Sequence, residues 1–262
     1  MTPTHGARID LEIAVTSAAG AAVARDNGAD RVELCSALEL GGLTPSRGLI
    51  DAVLTQGLPV HVLVRCRPGD FVYDVDEVTT MLRDVRALAG TGVSGIVFGA
   101  LDAHGSLDLR TLELLADAAG SAGNSSARLD LTVHRAVDHA ADPMAAVAAL
   151  AELGADRVLT SGAAARVRDG LDTLAAMVRQ AGSVQVMAGG GLAIDDIARV
   201  AAIGARAVHL SASVSAPGRP RPSWVPLGAA GTTADSDVHR LTDPALVRAA
   251  RQALDAAAPH AD

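Results

Sequence analysis

Lysine is absent from the 262 residues, and all 22 basic side chains are arginine. No Schiff base can therefore form on a side-chain amine, which excludes lysine-dependent aldolases and any lysine-linked cofactor, pyridoxal phosphate included. Cysteine occurs only as Cys35 and Cys66. Two thiols are too few for a disulfide scaffold or a four-cysteine zinc site, so reduced thiols are expected. Excess positive charge is missing as well. The net charge of −8 speaks against nucleic acid or an anionic membrane as partner, while a small anionic ligand stays compatible. No apolar run reaches the ~18 residues of a membrane span. The stretch MTPTHGARID lacks the charged-then-apolar layout of a signal peptide, so a cytoplasmic protein is expected.

What is present is an alternation. Short β-branched runs at 11–15, 30–35, 59–65, 94–98, 129–135, 156–161, 184–188 and 206–211 are separated by stretches of helical period. Helices are expected near 17–27, 46–56, 75–90, 107–119, 141–153, 164–181, 194–203 and 243–257. Small glycine-containing turns such as NGAD, GLP and LGAD sit where each helix should stop. Eight βα pairs without a linker indicate an α/β protein, a (β/α)8 TIM barrel forming one domain over 1–262, with a doubly wound sheet as the alternative. GADRV occurs at 28–32 and again at 154–158, marking strands two and six, which face each other in an eight-strand barrel. A half-barrel repeat accounts for the spacing; shared use of one helix-ending turn accounts for it too. Residues 214–240, rich in Pro, Gly and Ser, read as a long loop after the eighth strand.

In such a barrel the chemistry collects on the inward face near the C-terminal strand ends. Glu12 interrupts the first strand; Glu33 and Cys35 share a face of the second, His61 and Arg65 a face of the third. The fifth ends in His134 and Arg135 followed by Asp138, the sixth in Thr160, Ser161 and Gly162, and the eighth carries His209. Carboxylates inside apolar strands require a cation, a metal or a raised pKa, so Arg65 or Arg135 is expected beside Glu12 and Glu33. His134 is a candidate general acid or base exchanging protons with Glu33. Core ion pairs that merely fill the barrel are the alternative. In MAGGGLAIDDI, Gly189, Gly190 and Gly191 lie between a strand and a helix, where backbone N–H groups can meet an anion; a tight turn needs glycine in any case. Cys35 and Cys66 end or follow adjacent strands and could share one soft ion such as Cu(I), or remain free thiols.

GADRVELC, GGLTPSRGLI, PVHVLVR with CRPGDF, VHRAVD, ELGADRVLTSG and MAGGG, in this order over about 10–213, resemble the CutC copper-homeostasis family. The resemblance implies a TIM barrel, a cytoplasmic location, copper handling with Cu(I) as ligand, and a homodimer. Its pattern falls on Glu12, Glu33, Cys35, Arg65, Arg67, Asp70, His134, Arg135, Asp138, Thr160 to Gly162, Gly189 to Gly191 and His209. The chain departs from it at Cys66, where relatives carry proline, at Val72, where they carry cysteine, and at Ala14 and Val15, where cysteines are common. A soft-metal site then rests on Cys35 and Cys66, with Met187 or His209 as further donors. Two functions follow: a Cu(I)-binding protein, or a lyase- or isomerase-type barrel enzyme acting on a phosphorylated or carboxylated metabolite. In the second, Arg65 and Arg135 hold the anion, with Arg67, Asp70, Thr160 and Ser161 as further ligand contacts.

Overall fold

Strands of four to six residues, almost wholly buried, need cover on both faces, and amphipathic helices between them supply it on one. The computed structural model describes residues 8–122, 128–216 and 239–257. Strands β1 (Asp10–Val15), β2 (Arg31–Leu34), β3 (Val60–Leu63), β4 (Gly95–Phe98), β5 (Asp130–Val133), β6 (Arg157–Thr160), β7 (Gln185–Gly189) and β8 (Ala207–Leu210) are parallel. They close into a barrel in sequential order. Around it run α1 (Ala18–Asp26), α2 (Arg47–Leu54), α3 (Val75–Ala87), α4 (Leu109–Ala122), α5 (Pro143–Ala149), α6 (Leu171–Gln180), α7 (Ile197–Ala202) and α8 (Pro244–Ala257). The chain is a (β/α)8 barrel. Among the described residues no helix is long and apolar enough to cross a membrane.

GADRV builds the same corner twice. Gly28 and Gly154 take positive φ at the helix ends, a conformation open to glycine without strain. Asp30 and Asp156 follow, and each binds the leucine of the preceding strand in two ways: its backbone N–H donates to the leucine carbonyl, and its Oδ2 accepts the leucine N–H, from Leu11 at 2.7 Å and from Leu131 at 2.8 Å. Arg31 and Arg157 come next and point into the barrel, where both are buried. Strand order places β2 and β6 on opposite walls.

Most apolar side chains of the strands pack outward against the helices in one continuous core. The lumen is different. It holds two small apolar clusters, Cys35 with Leu63 and Val97, and Leu159 with Met187 and Ala207. Many other inward positions are polar: Glu12, Arg31, Glu33, His61, Thr132 and Arg157 are all buried.

Three expectations are corrected. The helix expected over 164–181 starts only at Leu171, because Gly162 and Ala163 take positive φ and a 3-10 turn, Val167–Asp169, intervenes. The helix expected at 194 begins as another 3-10 turn, Ile194–Asp196. The stretch expected to be loop over 214–240 has paired ends: β9 (Ser213–Ser215) and β10 (Arg240–Thr242) form an antiparallel ribbon. Residues 217–238 of that stretch lie outside the described residues.

Candidate active site at the barrel rim

Period-two alternation brings inward side chains of several strands to the C-terminal rim, and a cavity of about 690 Å³ opens there. Glu33, Arg65, His134, Arg135, Gly190, Gly191 and His209 line it together with Phe71 and residues 192–195 and 210–213. Seven of the residues singled out in the sequence thus meet in one place.

Glu12 lies just beneath. It is fully buried, yet its carboxyl is held well below the usual range. Burial alone would raise it; the hydrogen bond from His209, the charge of Arg31 and the His209 charge outweigh that. Arg31 Nε donates to Glu12 Oε2 at 2.6 Å, and His209 Nδ1 lies 2.8 Å from Glu12 Oε1. The expected partners Arg65 and Arg135 are elsewhere. Arg31 was hidden inside GADRV, although it stands two residues before Glu33 on the same face of β2, and that spacing was its available signal.

His209 Nε2 faces Glu33 Oε2 at 3.7 Å. The imidazole is held above its ordinary pKa: burial pushes it down, and Glu33 and Glu12 more than offset this. Glu33 is buried without a hydrogen bond to any described residue. Burial pushes its carboxyl up to about 7 against the opposing pull of His209. One carboxylate is thus firmly ionised, and a second, beside the same imidazole, sits at neutrality.

The imidazole that faces Glu33 is therefore that of His209, not the expected His134. His134 Nδ1 accepts the Ala136 N–H at 3.1 Å, which leaves the proton on Nε2, a buried atom without a partner among the described residues. Burial and the nearby Arg65 push its pKa down to about 3. At neutral pH it is an uncharged N–H donor, packed 4.9 Å from the Phe71 ring.

Arg65 spends its guanidinium on loops. It donates to the carbonyls of Leu40, Gly42 and Gly69, pinning the β2–α2 and β3–α3 connections at the cavity wall. Arg135 donates Nε to Asp138 and Nη2 to Ser161 Oγ, while its Nη1 makes no hydrogen bond among the described residues. Gly190 lets it lie there, since a Cβ at that position would come within 2.6 Å of Arg135 Cζ.

Six sequence candidates do not line the cavity. Asp138 is saturated, accepting from Thr160, Ser161, the Ala163 N–H and Arg135, so it orients Arg135 and has no lone pair to spare for proton transfer. Thr160 and Ser161 serve that same knot as its donors. Arg67 and Asp70 bind each other, and Arg67 pairs with Glu77 at the cap of α3; neither lines this cavity. Gly189 lies under the cavity floor, where a Cβ would meet Leu159 and His209.

The thiols separate. Cys35 packs inside the lumen with Leu63 and Val97, and half-buried Cys66 packs on the outer core. Burial pushes the Cys35 thiol up and also raises that of Cys66, opposing the thiolate a metal requires. Met187 Sδ accepts from Arg31. Among the described residues the one group with metal-ligand spacing is Glu12, Glu33 and His209, whose ligand atoms lie within 4.8 Å of one another. An oxygen and nitrogen donor set does not suit Cu(I), and Glu12 is already bonded to both Arg31 and His209. Cys35 and Cys66, the expected copper ligands, pack in different clusters, and neither belongs to this group.

Residues 9–214 match the CutC family. A CutC family protein from Xanthomonas axonopodis pv. citri is 46% identical over 205 residues, 77% of this chain and 82% of that protein. Another from Mesorhizobium japonicum is 42% identical over 243 residues, 91% and 92% of the two chains. Among solved structures, the presumed copper homeostasis protein CutC from Streptococcus agalactiae superposes with a TM-score of 0.69 at 26% identity, over 78% of this chain and 98% of that one. Oxaloacetate acetylhydrolase in complex with oxalate shares the fold alone, with a TM-score of 0.57 at 16% identity over 78% and 75% of the chains.

Proposed function

The chain belongs to the CutC family, and we propose that its rim cavity binds a small carboxylated or phosphorylated metabolite and moves a proton on it, in a lyase- or isomerase-type reaction. One observation carries this reading: Glu33 is a carboxyl group at neutrality, without a hydrogen bond among the described residues, on the wall of an open cavity. A core ion pair has no use for such a group, whereas a general base working near pH 7 requires it. Glu33 takes a proton from a carbon next to a carbonyl, and the electron pair of the broken C–H bond passes to the carbonyl oxygen. His209, oriented by Glu12 and with its pKa raised by Glu33 and Glu12, favours the ionised form of Glu33 against the push of burial. Arg135 Nη1 and the turn at Gly190 and Gly191 receive the anionic group, and the neutral Nε2–H of His134 is a donor for the developing oxyanion.

Copper enters through the family resemblance and through the name of the Streptococcus agalactiae relative. The thiols pack in different clusters and burial raises both, which disfavours a shared Cu(I) site, and no step is routed through copper. Two unpaired cysteines favour a reducing, cytoplasmic setting. A homodimer is the proposed assembly, which sedimentation would test.

Thermal shift with oxalate, malonate, phosphate and phosphoglycolate at pH 7 tests the anion site. At least one should raise Tm in the wild type and in Glu33→Gln but not in Arg135→Gln. Deuterium exchange into the methyl group of added pyruvate, followed by NMR, tests the base and should cease in Glu33→Gln. A rim that no anion stabilises would end the reading.

A further inference from the structure

We propose that the opposite, N-terminal end of the barrel holds a second binding site, in which Arg157 receives a small oxyanion, the phosphate or carboxylate group of a metabolite. A cavity of about 820 Å³ opens there, bordered by Arg31, His61, Ser94, Arg128, Asp130 and Arg157 among others. It is separate from the rim site and does not depend on the reading given for that site.

Arg157 is a buried cation whose paired carboxylate, Asp130, stands off at 4.0 Å. Its side chain is 7% exposed. Nη1 donates to a neutral hydroxyl, Thr132 Oγ1, at 3.1 Å; Nη2 reaches Gln185 Oε1 only at 3.5 Å; Nε has no partner among the described residues. The other cations on the cavity wall are satisfied, Arg31 by Glu12 and Asp10 and Arg128 by Asp156. Burial and the proximity of Arg31 lower the pKa of Arg157, as expected for a guanidinium short of an anion. His61 Nδ1 is a second buried atom without a partner.

The carboxylates at the same mouth do not fill this role. Asp30 is engaged by Arg8, Arg251 and the Leu11 N–H, and Asp10 by Arg31. Asp130 stands 3.6 Å from His61 Nε2 and 4.0 Å from Arg157 Nη2 with its side chain 44% exposed. It accepts no hydrogen bond from a described residue, so an incoming oxyanion can turn it towards solvent without breaking one. A guanidinium with free N–H groups then gains the charged acceptor it lacks, which for arginine favours a phosphate or carboxylate.

Occupancy is transmitted to the rim through Glu12. His61 Nδ1 lies 3.9 Å from Glu12 Oε2, and the other oxygen of Glu12 lies 2.8 Å from His209 Nδ1. One buried carboxylate therefore senses charge at both ends of the barrel.

Titrating inorganic phosphate, and separately malonate, into the full-length ¹⁵N-labelled protein, while following arginine Nε–H and histidine ring signals, tests this. Saturable shifts at Arg157 Nε and the His61 ring, with a smaller shift at His209, are expected for at least one probe. Arg157→Gln should weaken that binding by about tenfold or more, whereas Arg135→Gln should leave it unchanged. Shifts confined to Arg135 and the glycine turn, or shifts that never saturate, would overturn the proposal. Because the wild-type shifts decide, the test survives an Arg157→Gln protein that fails to fold.

Discussion

Glu12 and His209 form a buried carboxylate–imidazole pair, Oε1 to Nδ1 at 2.8 Å, joining the first and last strands of the barrel. Arg31 closes on the other oxygen of Glu12. The seam of the barrel is thus held by charge as well as by its strand ladder, and the same charges tune Glu33.

Removing one partner of this pair leaves the others buried and unmatched. Glu12→Gln should lower the unfolding free energy by ~3–5 kcal/mol, measured by urea denaturation at pH 7. The His209 pKa should fall in the same variant, and an unchanged His209 titration would refute the pairing.

The pH dependence of stability carries a signature of Glu33. Its folded pKa of about 7 lies above the ordinary 4.5, so the folded state holds the proton more tightly. The stabilisation this supplies is complete below pH 4.5, declines as pH rises towards 7 and is gone above it. His61 and His134 act oppositely: their pKa values, pushed down to about 4 and about 3, contribute stability above pH 6.5 that is lost on acidification. The comparison that isolates Glu33 is therefore wild type minus Glu33→Gln, whose stability difference should move against the wild type by up to roughly 3 kcal/mol between pH 4.5 and 7.

His134 should remain uncharged through pH 5. Its ring ¹⁵N spectrum is expected to show a proton on Nε2 and none on Nδ1, because Nδ1 accepts the Ala136 N–H. Titration of this residue near 6.5 would contradict its burial.

The thiols should behave independently. Cys66, half-buried on the outer side, should react with iodoacetamide in the native protein, and Cys35 only after unfolding. A Cys35→Ala/Cys66→Ala double variant should compete for Cu(I) no less well than the wild type. Tight Cu(I) binding that the double variant loses would overturn the separation of the two sites.

Much of the architecture was readable along the chain because helix and strand periods are local. Eight apolar runs and eight helical stretches were placed in order, with ends displaced by a few residues. The larger errors have particular causes. The 161–170 loop is held out of helix by Asp138, a residue 23 positions away from Ser161, whose N–H and hydroxyl it binds. The ribbon of β9 and β10 pairs segments more than twenty residues apart, which no local pattern announces. Alternation identified the inward positions Glu12, Glu33, His134 and His209, but it could not say who pairs with whom. Arg31 rather than Arg65 meets Glu12, and His209 rather than His134 meets Glu33, because closing the barrel brings β8 beside β1 and aligns Glu12 with His209.

By itself, the sequence determined the chemistry available: no lysine, two thiols, eight strands carrying acidic, imidazole and guanidinium groups on their inward faces, and a repeated GADRV that sends an arginine into the lumen from each of two walls. Only the tertiary structure decided how that chemistry is shared out. A pKa depends on burial and on charges within a few ångströms, and those neighbours come from strands up to 200 residues apart. Barrel closure placed Glu12 between Arg31 and His209, left the Glu33 carboxyl with a pKa of about 7 at the rim, and left Arg157 with only a distant carboxylate at the opposite end.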